Sequence, residues 1–227
     1  VESLLVDALR SRGSQPQIVA GHSLGELVAL YAAGVFDAGS GLALVKRRSE
    51  LMASEGGGAM TALIGFDREA LEREVSSTEG VVIANDNGEG QVVISGLPEA
   101  VARLSATIRC KRAIPLAVSG AFHSPMMAEA AEAFSGELDQ LSFAMAAIPV
   151  LSNADPTPTT DPELLRERLR LQMTTGVRWR ETMQVIAEEG IDTAVEVGPG
   201  NVLSGLFRRS STGISTASIA TAADLAQ

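Results

Sequence analysis

The sequence predicts an α/β chain in which a parallel-sheet domain carries a small inserted subdomain. Three observations lead there. A short apolar run, Gln17-Ile18-Val19-Ala20, passes through the turn Gly21-His22-Ser23-Leu24-Gly25 into an apolar helical stretch, a strand-turn-helix unit. The triple glycine Gly56-Gly57-Gly58 then interrupts the pattern ahead of a segment with its own strand and helix signals. After residue 118, helices and apolar strands alternate again, as in the first stretch.

Taken in order, Leu4, Leu5, Ala8 and Leu9 share one helical face over residues 2–12, ended by Gly13. The strand 17–20 and a helix over 24–36 follow, then a helix over about 40–55. Within 59–118, residues 60–65, 81–84, 91–95 and 111–118 read as strands, and 68–76 and 98–108 as helices. The hairpin between the two middle strands is turn-rich, Asn85-Asp86-Asn87-Gly88-Glu89-Gly90. This β-α-β-β-α-β order is the ferredoxin-like pattern. A helix to residue 141, a strand over 148–153, an arginine-rich helix over 162–172, a helix over 182–189, a strand over 193–197 and a helix over 201–209 complete the larger unit. The Ser-, Thr- and Ala-rich tail after Ser210 is expected to be loosely held. The predicted domains are 1–58 with 119–227, and 59–118.

Composition excludes several classes. At 227 residues and 45% hydrophobic content the chain fills one α/β core, and with only 4% aromatic residues Ala, Val and Leu must supply it. The single cysteine, Cys110, leaves no internal disulfide and no cysteine-cluster metal site, and reads as a small buried side chain. A net charge of −10 argues against nucleic-acid binding, which rests on cationic neutralisation of phosphates. The longest apolar run, 27–36, stops at Asp37 and is too short to span a membrane. Glu2 and Asp7 near the start leave no basic n-region of a signal peptide, so a cytoplasmic protein is expected.

The turn at 21–25 fits G-x-S-x-G, in which a strained elbow presents a serine hydroxyl. Ser23-Leu24-Gly25-Glu26 also fits S-x-x-E, the reciprocal capping box of a helix N-terminus. Gly25 favours the elbow, because glycine is a poor first-turn residue unless close packing demands it. The chain has two histidines. His22 lies within the elbow and is expected to pack there; His123, in Gly120-Ala121-Phe122-His123-Ser124-Pro125, is the free base. One nucleophile and one base predict an acyl-transfer enzyme.

Arg48 is the other informative residue. At about 100° per residue, Leu44, Val45, Leu51 and Met52 share an arc with Arg48 at its centre, while Lys46 and Glu50 point away. A cation on a buried stripe needs an anion. It either snorkels or pairs with a structural carboxylate, or it grips a substrate carboxylate in bidentate fashion. Arg47, at the edge of the arc, reads as a surface charge.

Gly21-His22-Ser23-Leu24-Gly25-Glu26, Leu44-Val45-Lys46-Arg47-Arg48, Gln91-Val92-Val93-Ile94-Ser95-Gly96, Ala121-Phe122-His123-Ser124-Pro125 and Glu196-Val197-Gly198-Pro199-Gly200 occur in an order that resembles the malonyl-CoA:acyl-carrier-protein transacylases. The resemblance runs over nearly the whole chain. It implies a hydrolase-like catalytic domain (1–58 and 119–227) with a ferredoxin-like subdomain (59–118). It implies Ser23 as nucleophile, His123 as general base and acid, the Leu24 N–H as oxyanion donor, and the Gln172 carbonyl as the group that holds the imidazole in place of a triad acid. Arg48 would bind the malonyl carboxylate. Phe122 would favour malonyl over methylmalonyl units, and Asn87 and Gln91 would line the site. Malonyl-CoA and an acyl carrier protein are the implied partners, in fatty acid or polyketide biosynthesis, with no metal or cofactor. Arg166, Arg168, Arg170, Arg208 and Arg209 are candidates for a carrier-protein landing surface, although any one of them alone reads more readily as ordinary solvated helix charge. Family members open with a strand and a G-Q-G-S-Q loop that has no counterpart here, so a truncated member is expected. Two rival readings stay open: a serine hydrolase or thioesterase, and an inactive acyl-binding remnant.

Overall fold

The structure, a computed structural model, describes residues 1–118 and 120–226. Ser119 and Gln227, which begin and end the second stretch of the expected catalytic domain, lie outside the described residues. The larger unit begins with α1 (Glu2–Ser11), β1 (Val19–Ala20), α2 (Gly25–Ala32) and α3 (Ala38–Ser54). The smaller one is β2 (Ala59–Phe66), α4 (Arg68–Ser77), β3 (Val81–Gly88), β4 (Gln91–Gly96), α5 (Pro98–Thr107) and β5 (Cys110–Pro115). The chain returns through a 3₁₀ turn (Pro125–Met127) to α6 (Ala128–Gln140), β6 (Val150–Leu151), α7 (Pro162–Leu171) and α8 (Trp179–Glu188). It ends with β7 (Thr193–Val197), α9 (Val202–Arg209) and β8 (Ser215–Ile219).

Local chemistry sets the helix ends. The Asp37 side chain accepts from the Ser40 N–H at the start of α3, and Asp161 accepts from Glu163 and Leu164 at the start of α7, where Pro162 occupies the first turn. α2 stops at Ala32 rather than 36. Gly34 turns left-handed (φ 77°), its N–H bonds the Tyr31 carbonyl, and the Val35 N–H bonds that of Leu30. This Schellman closure frees Val35 and Phe36 to enter the core formed with α3, α6 and α7, around Leu27, Leu30, Phe134, Leu138, Leu165 and Leu169. Leu44, Arg48 and Met52 form one buried stripe of α3, as the arc predicts.

The small unit has strand order β3-β4-β2-β5, every neighbouring pair antiparallel, which is the ferredoxin-like arrangement. Its own core includes Leu63, Leu71, Ile94, Val101 and Leu104, with Cys110 half-buried against it. The register of β3 against β4 shifts after Ile83 and again after Asp86, and bulges of this kind re-aim side chains. At these shifts β3 meets the larger unit: the Val177 N–H bonds the Ala84 carbonyl, and the Asp86 N–H bonds the Val177 carbonyl.

The expected parallel sheet is present as two pairs, β1 with β6 and β7 with β8, both parallel. Among the described residues each of β1 and β7 has one unpaired edge, and both line a mostly apolar groove of about 1170 Å³ together with α1, α2 and α9. The tail corrects its expectation. Residues 215–219 form β8, which pairs along all of β7, and Ile214 is buried in the core with Trp179 and Phe207. No helix among the described residues is long and apolar enough to cross a membrane.

Candidate active site

The tight link between β1 and α2 is built around Ser23, which has φ 53°. His123 has φ 56°, and these are the two described non-glycine residues with positive φ. Such strain persists where surrounding contacts over-determine it. At Ser23 the clamp is Asn153: its Oδ1 accepts from the Ser23 N–H at 2.6 Å, and its Nδ2 donates to the Gly21 carbonyl at 2.6 Å. At His123 it is Ser124, whose hydroxyl donates to the Ala121 carbonyl at 2.6 Å and accepts from the Met126 N–H at 3.2 Å. Packing assigns the glycine requirement differently from the sequence reading. A Cβ on Gly21 would lie 1.9 Å from the Gly25 carbonyl oxygen, whereas Gly25 itself faces open space.

The capping-box reading fails. Among the described residues no side chain caps α2, and the Ser23 hydroxyl is turned to His123 instead, with Oγ 2.7 Å from Nε2. The other imidazole nitrogen, Nδ1, lies 2.9 Å from the Gln172 carbonyl oxygen. A carbonyl only accepts, so Nδ1 carries the proton, Nε2 accepts, and the serine O–H donates to it. Burial first, and the Arg48 charge second, hold this imidazole at a pKa of about 4. It is therefore neutral at physiological pH and ready to take a proton.

Arg48 is buried and reaches the same serine: its Nη2 donates to Ser23 Oγ at 3.0 Å, and its Nε to Gln172 Oε1 at 2.8 Å. Burial lowers its pKa to about 10, opposed by the charge of Glu26, so the guanidinium stays cationic. Of the three alternatives, snorkelling is excluded because the side chain is buried. A structural carboxylate is nearby, yet the direct partners are the Gln172 amide and the Ser23 hydroxyl. Arg47 faces outward and pairs with Glu137 and Glu50.

The other expected residues divide. Leu24 follows the serine, and among the described residues its N–H has no hydrogen-bond acceptor, which leaves it available to a developing oxyanion. Phe122 is partly buried between the main core and the Met60-Ala84-Val93 cluster, beside His123. Asn87 accepts from His22 Nε2 at 2.8 Å, and the His22 ring leans on Trp179 with centroids 5.5 Å apart. Gln91 is not brought into this cluster. The β3–β4 hairpin carries it past the site to α9, where its Oε1 accepts from Arg209 at 3.5 Å. Glu26, Asn153 and Ser124 were missed as site residues. The only signal for Asn153 was a polar residue at the end of a predicted strand. Among the described residues, no group of three or more His, Cys, Asp or Glu could hold a metal ion.

The arginine-rich helix also departs from expectation. Arg166 and Arg168 are mostly covered: Arg166 lies over the Phe143 ring and donates to the Leu138 carbonyl, and Arg168 pairs with Asp155 at 2.6 Å. Arg170 pairs with Asp139. These side chains brace α7 against its neighbours, while Arg208 and Arg209 stay exposed on α9.

A serine on a strained elbow beside a neutral buried imidazole and a buried arginine is the arrangement of a serine acyltransferase-type site on an α/β scaffold. Residues 1–224 match the acyl transferase domain family. The chain is 52% identical over 209 residues to the malonyl CoA-acyl carrier protein transacylase of Synechocystis sp. PCC 6803, covering 92% of this chain and 71% of that relative. The crystal structure of the Synechocystis malonyl-CoA:ACP transacylase superposes with a TM-score of 0.97 at 50% identity, covering 99% of this chain and 77% of that one. A malonyl-transacylase solved in complex with a type II PKS acyl-carrier protein superposes with a TM-score of 0.92 at 37% identity, covering 99% and 76%. The chain belongs to the malonyl-CoA–acyl carrier protein transacylase family.

Proposed function

We propose that this chain moves a malonyl group from coenzyme A to the phosphopantetheine thiol of an acyl carrier protein through a malonyl ester on Ser23. The observation that carries this reading is Arg48. A buried cation donating to the nucleophile's own oxygen at 3.0 Å suits an acyl group whose far end is a carboxylate, which the guanidinium can take in bidentate fashion.

In the first half-reaction His123 Nε2 takes the Ser23 proton as Oγ attacks the thioester carbon. The Leu24 N–H donates to the oxyanion. The tetrahedral intermediate collapses, the C–S bond breaks, and the thiolate of coenzyme A leaves with the proton returned by His123. In the second half the carrier thiol gives its proton to His123 and attacks the ester. Ser23 then leaves and recovers the proton. The Gln172 carbonyl keeps Nδ1 protonated throughout and does the orienting work of a triad acid without adding negative charge.

We assign the chemistry to residues 1–58 with 119–227. The 59–118 subdomain forms a wall of the site, which it reaches through Asn87 and His22. The solved complex with a carrier protein supports a carrier as acceptor. We place the reaction in the cytoplasm, where the lone Cys110 would stay reduced. The test is to supply malonyl-CoA with and without a carrier protein bearing the pantetheine thiol. Malonyl transfer to that thiol, with little coenzyme A released in its absence, is expected. Steady release without acceptor would instead indicate a hydrolase.

A further inference from the structure

Glu26 is fully buried on the first turn of α2, and the reaction as written gives it no task. A buried carboxylate is costly unless it is paired, and packing alone would be served better by an apolar side chain. Its contacts show where it acts. Oε2 accepts from Gln172 Nε2 at 2.8 Å and from the Asn153 N–H at 3.2 Å. Oε1 has no hydrogen-bond partner among the described residues.

The contact with Gln172 has a geometric consequence. A carboxamide can be turned either way, and its neighbours decide which end faces where. With Nε2 drawn to Glu26 and to the Ser23 carbonyl at 3.0 Å, Oε1 must face the Arg48 Nε that it meets at 2.8 Å. Turned over, the amide would place N–H against N–H at the arginine and oxygen against oxygen at the glutamate. We infer that Glu26 is a positioning residue for substrate choice: through the Gln172 carboxamide it aims the Arg48 guanidinium at the acyl group on Ser23, and so supports selection of carboxylate-bearing acyl chains. The inference deepens the proposed function and rests on it. Burial raises the Glu26 pKa, and the hydrogen bonds from Gln172 and Asn153 and the Arg48 charge oppose that rise.

The test compares loading of Ser23 from malonyl-CoA and from acetyl-CoA, as the ratio of the two kcat/KM values, in the parent chain, Glu26→Gln and Glu26→Asp. That ratio does not depend on the fraction of correctly folded protein, so a poorly folding variant still reports. Glu26→Gln is expected to lower the malonyl/acetyl ratio about tenfold, the effect of losing one charge-assisted hydrogen bond. Glu26→Asp, which keeps the carboxylate, is expected to fall between. In an Arg48→Ala background neither change should alter the ratio further, because the group being aimed is gone. A ratio within about twofold of the parent's in both variants overturns the inference, because both catalytic parameters would then fall together as for a purely structural residue. A parent chain with no preference for malonyl would overturn the functional reading instead.

Discussion

Arg48 and Ser23 meet at 3.0 Å, guanidinium Nη2 to hydroxyl oxygen, although 24 residues and the whole of α2 separate them in the chain. The cation therefore sits within hydrogen-bond reach of the hydroxyl that the proposed reaction acylates. Arg48→Ala is expected to cost malonyl loading about 2–5 kcal/mol in kcat/KM, the usual penalty for removing one partner of a buried charge pair. Acetyl-CoA, with no carboxylate to lose, should load equally well or better. Parallel single-turnover kinetics with the two thioesters check this, and equal losses would refute the assignment.

The depressed pKa of His123 sets the pH behaviour. Only the neutral imidazole accepts the serine proton, so loading is expected to stay flat as pH falls through the ordinary histidine range and to drop only near the folded value of about 4. Stability follows from the same shift. Between about 6.5, the ordinary value, and 4 the unfolded chain binds a proton that the folded chain does not, so lowering the pH through that window destabilises the fold through this group. His123→Gln should flatten that part of the stability curve, read by denaturant unfolding at a series of pH values.

Gly21→Ala is expected to damage the elbow severely. The added methyl would meet the Gly25 carbonyl at 1.9 Å, a backbone atom that cannot swing aside, and a clash of this kind typically costs 1–3 kcal/mol or more (about the range for overpacking). Gly25→Ala, with open space around it, should be nearly neutral in thermal stability. A melting-temperature comparison of the two distinguishes them.

Phe122 stands beside His123 and packs on both adjoining cores. Phe122→Ser is expected to admit a branched methylmalonyl group, raising the methylmalonyl/malonyl ratio, and to lower stability by less than the ~3–5 kcal/mol of a fully buried aromatic, because Phe122 is only partly buried. The change in ratio is the diagnostic part, since a packing defect alone would slow both substrates alike.

Ser23, His123 and Arg48 were legible in the sequence because each stands in a short run whose local geometry carries its own reason: an elbow, a lone free histidine, a cation on an apolar stripe. Gln172 came only from the family resemblance, since nothing local marks a polar residue at a helix end as the partner of an imidazole. Glu26 and Asn153 were not legible, because their work depends on partners 127 to 146 residues away. The capping-box spacing also offered Glu26 a sufficient local explanation. Gln91 was misplaced because a two-residue hairpin step decides which way a strand-end side chain points. The ferredoxin-like lobe was readable from strand alternation and turn residues. The parallel strands of the larger unit were harder: β1 and β6 hold only two paired residues each, too few for a periodic signal. The β8 strand went unseen because Ser, Thr and Ala resemble a linker until β7 lies beside them.

The measurement that bears most directly on the central claim is the intact mass of the chain after brief mixing with malonyl-CoA, with fragmentation to locate any adduct. The structure predicts one malonyl group esterified to Ser23, absent in Ser23→Ala, weaker with acetyl-CoA and discharged by a carrier-protein thiol. A malonyl adduct on any other residue, or one that persists in Ser23→Ala, would contradict it.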